Sequence, residues 1–368
     1  MSNIRSFIKR EPVLIISVIA ALISCFFVMP DAKYIDYIDL RTLALLYSLM
    51  IVVAGLRKAG VFTSMAQALC VRARSTRTIG IMLVCLCFFT SMFITNDVAL
   101  LTFVPFSIIV LSIADRMQDI VRVVVLQTVA ANLGSMLTPI GNPQNLHLYS
   151  FYTMSFTDFI LATLPVWILS FILLIGCCFF LPNSRLTESL GGEKVGMERT
   201  LWIYLALFIV CLLTVIRIIN WYIMLPIIVV VLLIFDRKIL LKADFMLLLT
   251  FVAFFIFAGN LARIDAISSM LSKLLSGREY FTSLLASQVI SNVPAALLLS
   301  GFTSNAKAIL LGVNIGGLGT PIASLASLIS LKLYSRTDNA KLGRFLLEFT
   351  IVNVVLLVLL SVFYVLIG

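Results

Sequence analysis

Apolar runs long enough to cross a membrane recur along the whole chain, separated only by short charged segments. A helix that crosses the hydrocarbon core needs about 20 apolar residues. Of the 368 residues, 61% are hydrophobic and 12% are charged, whereas soluble domains carry about 25% charged residues. Because so few polar groups cannot cover a water-exposed surface, the chain is predicted to be an all-α, polytopic membrane protein.

The apolar runs give a first map of the membrane segments. Nine are clearly bounded by charged residues, at about 13–29, 40–56, 121–148, 158–181, 200–217, 222–235, 244–260, 307–331 and 344–367. The third and the eighth of these runs are long and interrupted. Two further apolar stretches, 79–114 and 280–303, cannot be assigned to simple crossings from their length alone. The longest polar linker, 182–199, is too short to form a soluble domain.

Lysine and arginine are distributed unevenly between alternate loops. With the N-terminus placed in the cytoplasm, 20 of the 27 fall on the cytoplasmic side and 7 fall outside. Cytoplasmic loops of membrane proteins carry the excess of positive charge. We therefore expect a protein of the bacterial inner membrane with its N-terminus in the cytoplasm and its C-terminus outside. Topology also accounts for the net charge of +10, so no nucleic-acid partner is expected.

The uncharged stretch between Glu279 and Lys307 strongly limits the architecture. Two full crossings would need about 40 residues, and this stretch has only 27. One crossing would place Lys307 in the cytoplasm and reverse every later loop, which would spoil the charge distribution. A re-entrant hairpin, which enters the membrane and returns, satisfies both limits if its tip is buried in protein or lines a cavity. Its tip is predicted at Ser291–Pro294.

The stretch 79–114 contains a similar pattern. Its sequence ITNDVALL (94–101) aligns with ISNVPAAL (290–297), and Thr-Pro-Ile follows each, at 138–140 and 320–322. The charge distribution gives the two units opposite orientations. We therefore predict two inverted repeats, each with a re-entrant hairpin and a broken helix. For the first hairpin, two full crossings remain an alternative.

These repeats divide the chain into four parts. Residues 1–37 are predicted to form an N-terminal scaffold span and 38–181 the first inverted repeat. Residues 182–243 are predicted to form a linker with connecting scaffold spans, and 244–368 the second inverted repeat. Inverted repeats with helices broken near the bilayer midplane are typical of secondary transporters. The chain is accordingly predicted to be a secondary transporter and not an enzyme.

Polar residues concentrate at the predicted hairpin tips and helix breaks. Proline and glycine at a break leave carbonyl groups free for Na⁺ and N–H groups free for anions. We predict that substrate binds at six residues: Thr95, Asn96, Asn142, Ser291, Asn292 and Thr320. We predict that the coupling cation is held by eight: Asp97, Thr95, Thr138, Gly141, Asn145, Ser291, Gly319 and Ser324. The alternative is that these residues only join helices or cap their ends.

Asp97 is the only acidic residue deep within an apolar segment. A carboxylate at membrane depth is costly and usually functional, so we expect Asp97 to bind Na⁺ or a proton. A structural role as the cap of the second hairpin arm is the alternative. The single histidine, His147, has no neighbouring cysteine, which favours a structural role over a metal site. No cofactor is expected beyond the coupling Na⁺ or H⁺.

Four segments resemble the ion-transporter superfamily: ITNDVALLTFVPF (94–106), TPIGNPQN (138–145), SNVPAALLL (291–299) and GGLGTPIASLAS (316–327). This superfamily includes arsenite permeases, NhaD-type sodium–proton antiporters, citrate–metal symporters and divalent-anion–sodium symporters. The resemblance extends over about residues 40–367. It implies a homodimer in which a scaffold domain holds the dimer and a transport domain moves through the membrane as an elevator.

The resemblance also implies that four tip residues contact the substrate: Thr95, Asn96, Ser291 and Asn292. The dicarboxylate branch has Ser-Asn-Thr at both tips, whereas the tips here are Thr-Asn-Asp and Ser-Asn-Val. Asp97 therefore resembles the arsenite or cation-exchange branch more closely. The favoured hypothesis is a carrier of a small inorganic or organic anion, coupled to Na⁺ or H⁺. A cation–proton antiporter is the alternative, and a membrane-embedded enzyme is disfavoured because one histidine and one deep aspartate supply little chemistry.

Overall fold

The structure is a computed structural model that describes residues 11–70, 75–113, 116–183, 200–337 and 340–367. Every element within these ranges is a helix. Within these ranges, seven helices are long and apolar enough to cross a membrane, one of them (117–137) together with its flanking 3₁₀ turns. The prediction of an all-helical, multi-pass membrane protein is thus confirmed. The basic segment 1–10 and most of the predicted polar linker, 184–199, lie outside the described residues.

In the part of the first half that the structure describes there are nine α-helices. They are α1 (Pro12–Phe27), α2 (Tyr34–Tyr37), α3 (Leu40–Lys58), α4 (Val61–Cys70), α5 (Thr76–Ile94), α6 (Asn96–Ile113), α7 (Ile120–Gly134), α8 (Pro143–Phe151) and α9 (Phe156–Cys178). Short 3₁₀ turns at Met117–Asp119 and Ser135–Leu137 precede and follow α7. The interruption predicted within 121–148 is the segment between α7 and α8.

Nine more α-helices lie in the ranges described after residue 200. They are α10 (Leu201–Val215), α11 (Trp221–Phe235), α12 (Phe245–Ala262), α13 (Asp265–Leu275), α14 (Glu279–Ile290), α15 (Asn292–Leu299), α16 (Ala306–Ile315), α17 (Leu325–Tyr334) and α18 (Leu342–Ile367). Further 3₁₀ turns occupy Arg237–Lys242 and Ser300–Phe302. The interruption predicted within 307–331 separates α16 from α17.

The helices of the two halves follow the same order. Each series has a long helix, an amphipathic helix, two helices joined by one residue, two helices separated by a break, and a final long helix; these series are α3–α9 and α12–α18. The first helix of each series is also capped in the same way. Asp39 accepts a hydrogen bond from the Thr42 amide, and Asp244 accepts one from the Leu247 amide. The correspondence seen in the sequence thus extends to the helices.

The two hairpins share a tip geometry but differ in arm length. The arms α5 and α6 have 19 and 18 residues, whereas α14 and α15 have 12 and 8. Thr95 joins the first pair with φ 70° and ψ 151°, and Ser291 joins the second with φ 74° and ψ 155°. A positive φ is unusual for a residue other than glycine. Both tips therefore depend on the surrounding structure to hold this conformation.

The broken helices lie at the centre of the molecule. Every residue of α7 except Arg122 is buried, because α5, α6, α9, α17 and α18 pack around it. The peripheral helix α18 instead turns large apolar side chains outward, including Ile351, Val355 and Val362. An apolar exterior around a polar-rich centre is the arrangement expected of helices surrounded by hydrocarbon.

Candidate functional site

Each hairpin tip is attached by a backbone hydrogen bond to the break in its own half. The Asn96 amide donates to the carbonyl of Gly141 at 3.1 Å, and the Asn292 amide donates to the carbonyl of Ala323 at 2.9 Å. In both tips the asparagine Oδ1 accepts from the N–H of the following residue, at 3.0 and 2.9 Å. The structure thus brings the predicted tip residues and breaks together in pairs.

Asn314, near the end of α16, is hydrogen-bonded to the start of α8 in the other half. Its Oδ1 accepts from Nδ2 of Asn142 at 3.0 Å, and its Nδ2 donates to Oδ1 of Asn145 at 2.6 Å. Asn145 also donates to carbonyls of the first break, within residues 135–138. All three asparagines are buried. The amide groups of Asn142 and Asn145 are therefore engaged in joining the two broken helices.

Asn132, near the end of α7, makes the corresponding contacts to the start of α17. Its Oδ1 accepts from the hydroxyl of Ser324 at 2.9 Å, and its Nδ2 donates to the hydroxyl of Ser327 at 3.3 Å. It also reaches the first tip, because Asn96 Nδ2 donates to the same Oδ1 at 3.2 Å. Buried polar groups are costly unless they are hydrogen-bonded. This network thus ties both broken helices and the first tip into one unit.

Asn132 and Asn314 were not among the site residues predicted from the sequence. A signal was present, because each stands six residues before a Thr-Pro-Ile and opens an Asn-x-Gly segment, at 132–134 and 314–316. Extending the alignment of the two Thr-Pro-Ile segments toward the N-terminus pairs these asparagines. It also pairs Asn142 with Ser324, which occupy the N-cap positions of α8 and α17.

A cavity of about 570 Å³ lies beside the first tip, within the usual size range of small-molecule sites. Thr95, Asp97 and Asn142 contribute polar groups from the tip and the break, and apolar residues of α3 form much of the wall. Four exposed charged residues complete the lining: Arg57, Lys58, Lys242 and Asp244. The cavity therefore carries three cationic groups and two carboxylates.

Asp97 also lines a narrow gap of about 10 Å³ between the two tips and the starts of α8 and α17. Such a gap has room for about one water molecule or small ion. Asn96, Asn292 and Ser324 line it as well. So does Gln144, whose buried Oε1 has no hydrogen-bond partner among the residues described. A cation in the gap would therefore find a carboxylate and an unpaired amide oxygen.

Thr138 and Thr320 hold the breaks to the first arms of the hairpins. The hydroxyl of Thr138 donates to the carbonyl of Met92, and that of Thr320 donates to the carbonyl of Gln288 at 3.2 Å. The side chain of Gln288 supports the second break further, since its Oε1 accepts from the Thr320 amide at 2.9 Å. Thr320 is exposed and lines neither the cavity nor the gap. The structure therefore separates it from the predicted substrate residues that line the cavity or the gap, which are Thr95, Asn96, Asn142 and Asn292.

The remaining predicted residues are two glycines within the breaks and Ser291 at the second hairpin tip. Gly141 approaches the chain so closely that an added Cβ would lie 2.0 Å from the carbonyl oxygen of Ser135. Gly319 has φ +100°, and a Cβ there would lie 2.4 Å from Gln288 Oε1. Ser291 is buried, and its hydroxyl donates to the carbonyl of Ala323 at 3.3 Å. The two glycines shape the breaks and Ser291 shapes the second tip, and none of the three lines the cavity or the gap.

His147 is buried on α8 and lines neither the cavity nor the gap. Its Nε2 is 3.0 Å from the hydroxyl of Ser300, and its ring packs against Phe151, Phe251 and Phe255. These contacts join α8 to α12 and to the end of the second hairpin. They are contacts of packing, in keeping with the structural role that the sequence favours.

Comparison with known proteins places these features in a family. Residues 6–308 match the citrate transporter family, CitMHS. An uncharacterised transporter of Methanocaldococcus jannaschii is 33% identical over 334 residues, which cover 90% of this chain and 84% of that protein. The inner membrane protein YbiR of Escherichia coli is 32% identical over 303 residues, 80% of each chain. A silicon efflux transporter of Oryza sativa is 32% identical over 147 residues, 40% of this chain and 30% of that protein.

Proposed function

Because the chain belongs to the citrate transporter family and is a multi-pass membrane transporter, we propose that it carries a small inorganic or organic anion and that Na⁺ or H⁺ drives the transport. Family membership confirms the predicted resemblance to the ion-transporter superfamily. It does not identify the solute, since a silicon efflux transporter is also among the relatives and one fold serves different cargoes. The family and two of these relatives are described as transporters, which fits a protein that is not an enzyme.

The charge of the main cavity is the observation that carries the anion proposal. Of the basic residues that line it, Lys58 is paired with Asp236, so Arg57 and Lys242 are the cations that raise the local concentration of anions. Arg57 also donates a hydrogen bond at 3.1 Å to the carbonyl of Leu101 in α6, the second arm of the first hairpin. This bond connects the charge of Arg57 to the helix that begins at the first tip. Thr95 offers a hydroxyl donor at the inner end, where a solute oxygen would bind.

The narrow gap is the proposed site of the coupling cation. Asp97 supplies the carboxylate, and Gln144 supplies the amide oxygen that no described group satisfies. Because Asp97 lines both the gap and the cavity, one carboxylate can respond to the cation and to the solute. Binding of Na⁺ or H⁺ would remove a negative charge that otherwise repels an anion at Thr95.

We propose that the two series of helices are inverted repeats in the inner membrane, with the N-terminus in the cytoplasm and the C-terminus outside. Two ion pairs support this topology, because each joins residues that the charge distribution assigns to one side. Lys58 and Asp236 are 2.6 Å apart on the proposed cytoplasmic side. Arg263 and Asp31 are 2.9 Å apart on the proposed outer side.

The proposed mechanism is an elevator motion within a homodimer. The hairpins and broken helices would move together, and the hydrogen bonds of Asn132 and Asn314 support this because they join the two halves at the centre. The helices outside this unit, including α1, α10 and α11, would form the scaffold. α11 has an almost wholly apolar sequence, and only Met224, Ile228 and Leu232 are buried along it, which leaves a broad apolar surface for lipid or a second copy.

Flux into proteoliposomes tests the proposed function. Purified protein is reconstituted, a Na⁺ or H⁺ gradient is imposed, and uptake is measured for the anions citrate, phosphate and arsenate and for the uncharged arsenous and silicic acids. We expect one class of anion to accumulate only with the gradient. Lys242→Gln should raise the solute concentration needed for half-maximal uptake, whereas Lys238→Gln, which removes an exposed lysine outside the cavity, should not. Gradient-independent leakage, or no flux of any anion, would contradict the proposal.

A cation–proton antiporter is a second candidate, favoured by the position of Asp97 at the meeting of gap and cavity. It predicts that a Na⁺ gradient moves protons in the absence of any anion. A pH-sensitive dye trapped inside the same proteoliposomes distinguishes the two functions. Proton movement that needs no anion supports the antiporter, and proton or Na⁺ movement only with an anion supports the anion carrier.

A further inference from the structure

Two arginines flank one glutamate close to the starts of α7 and α18. Nε of Arg344 is 2.7 Å from one carboxylate oxygen of Glu348, and Nε of Arg122 is 3.4 Å from the other. Both contacts use Nε, so the terminal nitrogens of the two guanidinium groups remain without a hydrogen bond among the described residues. The side chains of Arg122 and Arg344 are 45% and 36% exposed. The cluster therefore keeps donors and one net positive charge available to a ligand.

A polar pocket of about 290 Å³ adjoins this cluster between α7, α17 and the start of α18. Arg344 and Lys341 line it, together with the amide of Gln118 and the hydroxyl of Thr337. Among the described residues, the buried Asp119 is the other acid nearby, and the charges of three arginines (116, 122 and 344) act on it. Within the described part of this region, four cations thus outnumber two carboxylates. Guanidinium and ammonium groups in this arrangement suit a phosphate.

An apolar groove of about 400 Å³ begins on the other side of the cluster, between α7, α9 and α18. Arg122 and Glu348 form its charged end. The other lining residues are Val125, Leu126, Cys177, Phe180, Leu181, Ile351 and Val352. Along both α7 and α18 the apolar residues come one turn after the charged ones, so the groove runs from the charged end toward the middle of the helices.

We propose that the pocket and the groove together bind one anionic phospholipid. Its phosphate would contact Arg344, Lys341 and Arg122, and one acyl chain would lie along the groove. In a bilayer, lipid acyl chains fill an open apolar groove on the protein surface. Basic pockets between membrane helices on the cytoplasmic side bind anionic head groups. The joining of a cationic pocket to an apolar groove selects a lipid over a free phosphate. This inference rests on the proposed orientation, which places the pocket on the cytoplasmic side, and does not depend on the transported solute.

Thermal unfolding and native mass spectrometry of the full chain in detergent test this site. A ligand that binds the folded state raises its melting temperature. We expect phosphatidylglycerol to raise it by several degrees and phosphatidylcholine or soluble glycerol phosphate to change it little. We expect one phosphatidylglycerol to remain bound in the mass spectrum. Equal effects of phosphatidylcholine, or stabilisation by glycerol phosphate alone, would overturn the proposal.

Two pairs of variants separate the head-group and acyl contacts. The triple variant Arg122→Gln, Arg344→Gln, Glu348→Gln removes one net positive charge without stranding the glutamate, and its control, Arg336→Gln, removes one from an exposed position outside the pocket. Ile351→Trp fills the groove, and Val354→Trp adds the same bulk to an exposed position of α18 outside it. We expect the first member of each pair to lose the bound lipid and the melting-temperature shift, and its control to keep both. If the triple variant and Ile351→Trp both keep the bound lipid and the melting-temperature shift, the proposed site is wrong. If the triple variant does not fold, the comparison of Ile351→Trp with Val354→Trp decides.

Discussion

At the scale of single residues, Asp97 is the group on which the proposed coupling depends. It faces the cavity with the cationic residues and also the gap with the unpaired amide oxygen of Gln144. A carboxylate so placed can exchange a cation with the gap while it contacts the space proposed for the solute. The effect of its charge on coupling can therefore be tested by a substitution that leaves its position unchanged.

Replacing Asp97 with asparagine tests the charge alone, because the two side chains have nearly the same size. We expect flux driven by the cation gradient to fall by about tenfold or more, which corresponds to the loss of about 1.4 kcal/mol of binding. The measurement is initial uptake in proteoliposomes with and without the gradient. Asp244→Asn is the matched control, because it removes another charge from the same cavity and asparagine still caps α12. Unchanged gradient dependence in Asp97→Asn would exclude Asp97 from coupling.

The hydrogen bonds of the buried asparagines should stabilise the folded protein as well as join its two halves. Asn132→Ala leaves the partners of its amide group without hydrogen bonds in the interior, so we expect a loss of about 1–3 kcal/mol and a lower melting temperature in detergent. Asn353→Leu is the control: Asn353 is also buried, but it donates only within its own helix and its Oδ1 has no partner in the described part of the chain. An apolar residue there should cost less than about 1 kcal/mol. If the two variants lose the same stability, burial of the asparagine, and not its hydrogen bonds between the two halves, determines the loss.

At the scale of helices and turns, the breaks are built from backbone contacts that leave no room for side chains. Gly141 packs on the carbonyl of Ser135 and offers its own carbonyl to the tip amide of Asn96. The first tip is therefore held by a break that has no room for a larger side chain at residue 141. The second tip has the same backbone bond, to Ala323, so the two tips depend on their breaks in the same way.

Gly141→Ala tests this dependence. The new Cβ would lie 2.0 Å from the Ser135 oxygen, so the break must move, and we expect a loss of about 1–3 kcal/mol together with reduced transport. Gly176→Ala is the matched control, because no atom lies within 4 Å of a Cβ at that position of α9. Alanine is favoured over glycine in a helix by about 1 kcal/mol, so the melting temperature should stay the same or rise. A Gly141→Ala protein as stable and as active as the unchanged chain would refute the tight approach.

At the scale of the whole molecule, two series of helices in the same order meet through their broken helices. The contacts of Asn132 and Asn314 cross from one series to the other in corresponding positions. Opposite orientation of the two series in the membrane is what would place such breaks against each other at the same depth.

Labelling from the two sides of the membrane tests the proposed orientation. Lys242→Cys and Lys307→Cys are introduced separately into a chain whose seven native cysteines are replaced. Both lysines are exposed. We expect an impermeant thiol reagent to reach position 242 only from the cytoplasmic side and position 307 only from outside. Labelling of both from the same side would require the second hairpin to be a single crossing.

Much of the fold could be predicted because a helix that crosses a lipid bilayer needs a long apolar sequence. The predicted runs at 158–181 and 344–367 correspond to α9 and α18, since a spanning helix must be both long and apolar. The breaks at Thr138 and Thr320 were visible for a similar reason, because proline and glycine stand out in an apolar helix. Asn132 was missed because its signal, the pairing with Asn314, emerges only when the two Thr-Pro-Ile segments are aligned and the alignment is extended toward the N-terminus.

The sequence by itself determined the membrane class, the places of the helices and breaks, and the family, since each of these depends on local composition or on short motifs. Only the tertiary structure decided which polar groups meet. Asn132 and Ser327 are 195 positions apart, and the same fold places Gln144 beside Asp97 but leaves Thr320 outside the gap. Such contacts depend on how helices from both halves pack against one another, and packing distances of this kind are a property of the folded chain as a whole.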